Sequence, residues 1–391
     1  MKKQNKSPIF KRKQPASKTL LGTKIGNLDY QRKYNEMVEH RGGSKRHKKH
    51  KKLKKVLLII LCVVLAIALI IGSVFTYLYY SGKGQFSDDE ANLSIPEKLT
   101  EDNGNTVKVN GTTYIYDEDV TTILFMGVDK DEQSQIKTDK AGTSGQADAL
   151  YLACIDNKDK KYTILSINRD SMIDVDVYST NGEYVGIKKM QACISYAYGD
   201  GKEKSCENTS KAISRLLYNI PINSYFSINK ASISLLNDIV DGVDVPVYDS
   251  EGNVTTDITH LEGKEAYNYI HERDINKLDS NVTRMERQTS YIKAFASKVI
   301  EKTKSDLGTP LELFETVSIY STTDLNASKI TYLTTNAFSD RKDINLEFKS
   351  VPGKVVEGKD GYAEYKVDTD GLLQVVLDIF YDKADEEQTI N

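Results

Sequence analysis

The sequence predicts a three-layer α/β/α sandwich with a mixed central sheet, preceded by a single transmembrane helix. Three observations carry this prediction. Val56–Tyr80 runs about 25 residues without a charge, enough for one helix to cross a bilayer. Thr122–Val128, Leu150–Ile155 and Tyr162–Ile167 are apolar runs of strand length. Beyond them, helical stripes alternate with short apolar runs, the interleaving of a layered α/β domain.

The chain of 391 residues has a formal net charge of −3, which hides a split. The first 55 residues carry roughly +16 and the remainder roughly −19. Residues 1–55 form a basic tail without a lasting apolar period, expected to lack fixed structure. Its cluster Lys45–Lys55 abuts the span at 56–80, which places the tail in the cytoplasm and everything from about Ser81 outside. The predicted location is therefore the cell membrane, single-pass, with chemistry done away from cytoplasmic ATP. The tail has two readings, a topology signal that also attracts anionic lipid and a nucleic-acid-binding segment. Its position against the span favours the first. The apolar run is too long, and begins too late, for a cleaved signal peptide.

Residues 81–116 are expected to be an extracytoplasmic stalk and small accessory segment. Thr106–Tyr116 alternates around Asn110-Gly111, a hairpin signature. The main domain is placed at 117–385, with a polar C-terminal tail at 386–391. The second and third apolar runs are joined by Asp156–Lys160, a tight connection typical of antiparallel neighbours. Helices are predicted over Glu207–Tyr218, Ser232–Val240, Gly263–Arg273, Arg284–Lys302, Leu311–Ile319, Ala327–Ala337 and Gly371–Ala384. Strands are predicted over Tyr225–Ile228, Val243–Val247 and Leu346–Val351.

Polar residues fall at telling places on the first three runs. Asp129 follows the first, Asp148 precedes the second, and Arg169-Asp170 follows the third. If these strands are antiparallel, an end, a start and an end share one edge of the sheet. The connection Lys130–Ala147 is long, as binding loops are. A second group lies further on. Thr283-x-x-Glu286 reads as a capping box that opens a helix with Arg284 in its first turn. Arg284, Arg287 and Gln288 then share a face, with Arg273 ending the helix before. Any one of these charges alone reads as a solvated or loop-holding residue. Together, carboxylates beside arginines suit a divalent metal and a phosphorylated ligand. Of four cysteines, Cys62 lies in the span and Cys154 in an apolar run. Outside the cytoplasm Cys193 and Cys206 are free to form a disulfide, with two free thiols as the alternative.

At these residues the chain resembles the LytR-CpsA-Psr family. The matching pieces stand in family order: ILFMGVD (Ile123–Asp129), ADALYLACID (Ala147–Asp156), LSINRDSM (Leu165–Met172), SYAYGDG (Ser195–Gly201), LLYNIPINSYFSIN (Leu216–Asn229), IVDGVDVPV (Ile239–Val247), HLEGKEAYNYIHER (His260–Arg273) and RMERQ (Arg284–Gln288). The resemblance implies a membrane-anchored phosphotransferase of the bacterial, mostly Gram-positive, envelope. Such an enzyme moves an anionic glycopolymer from a polyprenyl-pyrophosphate carrier to a sugar hydroxyl of peptidoglycan. It further implies that Asp129 and Asp148 hold magnesium (or manganese), that Arg169 is catalytic with them, and that Arg169, Arg273, Arg284 and Gln288 bind the pyrophosphate. Arg287 on the same helix face and His271 join that binding group, and an apolar channel takes the polyprenyl tail. The chain departs from the family pattern at Asp131, Ala147, Ala149, Gln191 and His271. These departures sustain an alternative, a catalytically weakened lipid-pyrophosphate-binding module or envelope regulator.

Overall fold

The computed structural model describes residues 24–86, 100–101, 105–129, 143–249, 251–272, 280–339 and 343–384. The chain divides into two compact units, Met1–Ser73 and Val74–Asn391. In chain order the second unit takes in the end of helix α1 (Lys24–Phe86), then β1 (Thr100–Glu101), β2 (Thr106–Val109), β3 (Thr112–Tyr116), β4 (Val120–Val128), β5 (Ala147–Asp156) and β6 (Tyr162–Ile167). A hairpin of β7 (Met172–Tyr178) and β8 (Tyr184–Gln191) runs into a 3-10 helix at Ala192–Tyr198. Next come α2 (Glu203–Leu216), β9 (Ser224–Asn229), α3 (Lys230–Ile239), β10 (Val243–Tyr248), β11 (Val254–Leu261), α4 (Lys264–His271), α5 (Ser280–Ser305) and α6 (Thr309–Val317). The chain closes with β12 (Ser321–Thr323), α7 (Ala327–Phe338), β13 (Leu346–Ser350), β14 (Gly353–Glu357), β15 (Ala363–Val367), α8 (Thr369–Phe380) and β16 (Tyr381–Lys383).

The central sheet has six strands in the order β12-β9-β4-β5-β6-β13. β4, β5 and β6 are mutually antiparallel, while β9 joins β4 and β13 joins β6 in parallel. The tight β5–β6 turn is held by the Asp156 carboxylate, which accepts from the N–H groups of Lys158 and Asp159 at 2.8 Å. Strand periodicity sends Leu124 and Met126 of β4, Leu150 and Leu152 of β5, and Leu165 and Ile167 of β6 to one face. There they are buried with Ile213 and Leu217 and with Leu372 and Phe380 at the other end of the chain, forming the main core. The helices α3–α6 and the β10–β11 hairpin have a separate core around Val240, Val245, Ile270 and Tyr291, in which no central-sheet strand takes part.

The opposite sheet face carries Phe125, Tyr151 and Phe226 in register. Phe125 lies on a central strand yet stays 38% exposed. This face is apolar and incompletely covered.

Several expectations are corrected. α1 begins at Lys24, well inside the tail expected to lack structure, and no proline interrupts it from there to the span. The one helix among the described residues long and apolar enough to cross a membrane is Lys55–Phe86, longer than the expected 56–80. The stalk is not a separate segment where it is described. The helix continues to Phe86, and the predicted Asn110-Gly111 hairpin joins a four-stranded sheet with β16. Both turn residues have positive φ, 52° and 85°, as a tight primed turn requires. The last predicted helix, Gly371–Ala384, stops at Phe380 because the chain turns into that sheet. α5 starts at Ser280, so Thr283 is inside the helix and not its cap. Residues 386–391 lie outside the described residues.

The end of α1 docks on α7. The Tyr79 hydroxyl donates to Asn336 at 3.1 Å, Asn326 donates to Gln85 at 2.7 Å, and the Phe86 ring lies 5.9 Å from that of Tyr332. Gly82 makes the approach possible, since a Cβ there would overlap the Ser328 carbonyl and crowd Tyr332. Gly82→Leu should therefore force the elements apart and lower stability by about 1–3 kcal/mol. Thermal unfolding of the detergent-solubilised chain measures this, and an unchanged midpoint would show that the contact is loose.

The β7–β8 hairpin is fastened to α2 through Asp176. Its carboxylate is 2% exposed and pairs with Arg215 at 2.8 Å and Lys211 at 2.7 Å.

Candidate functional site

The end of β4, the start of β5 and the end of β6 meet at one sheet edge, as the antiparallel pairing dictates. In the β4–β5 ladder Gly127 faces Ala149 and Val128 faces Ala147, which leaves Asp148 as the extra residue of a bulge. A bulge re-aims a side chain that would otherwise follow the pleat. Here the Asp148 carboxylate meets two guanidinium groups, one on each oxygen. Arg169 donates to Oδ1 from Nη1, and Nη1 of Arg284 lies 3.6 Å from Oδ2.

Arg169 is placed by the turn after β6. Buried Asn168 accepts from the Asp170 N–H through its side chain and from the Ser171 N–H through its carbonyl. The Arg169 carbonyl in turn accepts from the Cys193 N–H at 3.0 Å, tying the turn to the 3-10 helix. The Arg169 side chain is 13% exposed and ringed by acceptors. Its Nη2 donates to Gln146 Oε1 at 2.5 Å and to Cys193 Sγ at 3.1 Å, and its Nε lies 3.5 Å from Asp170. Burial works against its charge, and Cys193, Asp148 and Asp170 more than offset this and raise its pKa. Burial also pushes the Cys193 thiol up to about 11, against the pull of Arg169, so it is protonated at neutral pH.

Other candidates take other places. Asp129 is exposed at the same edge, and its N–H donates to the Gln146 carbonyl at 3.4 Å. Arg284 is 4% exposed and turns inward. Arg287 and Gln288, on the same helix, fasten the end of α4 by donating to the carbonyls of Glu272 and Ile270. Arg287 also lies over the Tyr248 ring. His271 stacks on Tyr267 with ring centroids 4.0 Å apart, its Nδ1 2.9 Å from the Tyr267 carbonyl. Arg273 and Asp131 lie outside the described residues. Cys193 and Cys206 are free thiols; one faces Arg169, while the other lies 4.0 Å from the Thr322 carbonyl. Sequence reasoning missed Gln146 and the thiol of Cys193 as partners of Arg169. The only signal for either was its nearness to Asp148 or to the SYAYGDG segment.

The donor set suits a hard cation of magnesium type, which takes one or two carboxylates and completes its shell with water and phosphate oxygens. Asp129, exposed at the edge, and Asp148, which has a guanidinium on each oxygen, are the carboxylates that would hold one. Among the described residues no group of three or more His, Cys, Asp or Glu forms an all-protein cage.

Two cavities are described and neither borders this cluster. One, of about 580 Å³, is lined by Tyr116, Asp117, Asp119, Lys158 and Asp382 at the opposite edge of the sheet. The other, of about 280 Å³, lies beside Lys202, Phe314 and Thr322. The apolar channel expected in the core is neither of these. The apolar surface that is described near the cluster is the incompletely covered sheet face with Phe125.

A family model described as the LytR_cpsA_psr family matches residues 77–378. The chain is 25% identical over 266 residues to the polyisoprenyl-teichoic acid–peptidoglycan teichoic acid transferase TagU of Enterococcus faecalis, covering 65% of this chain and 77% of that one. It is 28% identical over 250 residues to Biofilm regulatory protein A of Streptococcus mutans, covering 61% and 54%. Among solved structures, a Streptococcus agalactiae protein aligns with a TM-score of 0.52 at 20% identity over 66% of this chain and 85% of its own. That likeness shows the fold.

Proposed function

The chain belongs to the LytR_cpsA_psr family, and we propose from that premise that it is a membrane-anchored transferase. It moves an anionic glycopolymer from a polyprenyl-pyrophosphate carrier onto peptidoglycan. TagU of Enterococcus faecalis, named for teichoic acid transfer to peptidoglycan, supports the reaction class. The observation that carries the reading in this chain is the Asp148 carboxylate held at one sheet edge between the half-buried guanidinium of Arg169 and the buried one of Arg284. Two arginines converge on one carboxylate at the mouth of the sheet edge, and their planar forks match phosphate oxygens.

In this reading Arg169 and Arg284 grip the two phosphates. Asp129 and Asp148 would hold a magnesium ion, which when bound would neutralise charge on the phosphate oxygens. An acceptor sugar hydroxyl attacks the phosphorus that carries the glycopolymer. A new P–O bond forms, the bond to the bridging oxygen breaks, polyprenyl phosphate leaves, and the hydroxyl proton passes to solvent. The step needs positioning and charge neutralisation more than a covalent nucleophile. The open apolar face around Phe125 and Phe226 takes the start of the polyprenyl tail. Helix Lys55–Phe86 anchors the chain, with the basic tail cytoplasmic and the domain outside.

A second reading, a binding module or regulator, draws on two observations. The Streptococcus mutans relative is named a regulatory protein. Two departures from the family pattern are also already engaged: Gln191 donates to Asp170, the carboxylate beside Arg169, and to the Ala363 carbonyl, and His271 stacks on Tyr267. The decisive experiment supplies the detergent-solubilised chain with a lipid-pyrophosphate glycopolymer, a peptidoglycan acceptor and magnesium. Polymer–peptidoglycan product that disappears with chelator supports transfer. Tight binding without product selects the second reading.

A further inference from the structure

We infer that the Tyr151 hydroxyl is a binding group of the phosphate site, donating to a phosphoryl oxygen of a lipid pyrophosphate that lies along the open sheet face. The inference deepens the proposed function and rests on it.

Tyr151 stands on β5, on the face away from the main core, in register with Phe125 of β4 and Ser166 of β6. The residue is 6% exposed. Its hydroxyl is buried, and among the described residues no acceptor meets its O–H in hydrogen-bond geometry. A buried donor without an acceptor is costly, and a sheet position two residues either way takes alanine, Ala149 and Ala153. Phenylalanine would fill the same space without that cost, so packing alone does not explain the hydroxyl.

Its surroundings say what it waits for. Arg284, which reaches Asp148, is the cation beside the phenol, and the Thr289 hydroxyl on the same helix is its hydrogen-bonding neighbour, placed to donate to the phenol oxygen. Burial pushes its pKa up to about 12, so it stays protonated and can only be useful near an anion as a donor. Between Tyr151 and the edge that carries Asp148 the same face holds Gly127 of β4 and Ala149 of β5, with Ile228 of β9 beside Gly127. The two small residues keep the β4–β5 surface low between the phenol and the guanidinium pair. An anion held by Arg284 from the edge would meet the phenol from below, while an isoprenoid tail ran on over Phe125 and Phe226.

The test compares wild type and Tyr151→Phe as full chains in detergent, with farnesyl pyrophosphate and farnesol as probes. The variant should bind farnesyl pyrophosphate about tenfold more weakly, the scale of a hydrogen bond to a charged group. It should bind farnesol as wild type does, and unfold at the same or a higher temperature. Equal affinity for farnesyl pyrophosphate in both proteins would overturn the inference. So would an equal loss for both probes, which would mark Tyr151 as packing. Wild type that binds farnesol but no pyrophosphate would overturn the proposed function itself, and this inference with it.

Discussion

Replacing Arg169 by alanine should cut glycopolymer transfer at least about 10²-fold, the scale on which loss of a single donor to developing charge is felt. The guanidinium is the best-determined cation of the site. Gln146, Cys193, Asp148 and Asp170 contact it from four directions, so it needs little reorganisation when a phosphate arrives. Arg169→Lys should recover only part of the rate, because an ammonium keeps the charge and loses the planar fork. Initial rates of product formation from a lipid-pyrophosphate donor measure both variants, with thermal unfolding as the check on folding. Unchanged turnover in Arg169→Ala would remove this residue from the mechanism.

The largest expected effect on stability lies away from the site. Asp176→Ala should destabilise the domain by about 2–3 kcal/mol. That is below the usual range for breaking a buried pair, since Lys211 and Arg215 keep access to water. The carboxylate is buried, which pushes its pKa up, but Arg215 and Lys211 outweigh burial and leave it below the ordinary carboxylate value. A depressed folded-state pKa stabilises above the unfolded value of about 3.9, and the gain is lost as pH falls through the folded value. The gap in unfolding midpoint between wild type and variant should therefore be full at pH 7 and close in acid below about pH 4. A gap independent of pH would mean that the effect is one of packing alone.

Much of the site's frame was legible because it is local. The tight Asp156–Lys160 turn makes β5 and β6 antiparallel neighbours, which brings Asp148 and Arg169 to one edge; the antiparallel pairing of β4 with β5, which adds Asp129, was a condition that the structure supplied. The β7–β8 hairpin was overlooked although Met172–Tyr178 alternates, with Ile173, Val175 and Val177 buried and a turn at Asn181-Gly182. Its polar positions include Asp176, whose burial depends on α2 and leaves no trace in the local pattern.

The sequence by itself determined the membrane-length helix, the order of the central strands' polar ends, the Asn110-Gly111 turn and the family. Each is encoded by residues within a few positions of one another, or by motifs that stand in order. Only the tertiary structure decided that Asp148 sits in a bulge and that Arg284 closes on its second oxygen. It alone turned Arg287 and Gln288 to α4, set Cys193 against Arg169, and gave α3–α6 a core apart from the sheet. These outcomes depend on distant segments being brought together by packing. A side chain's partner there is chosen by the whole fold's closure and burial, and no local spacing of residues records that choice.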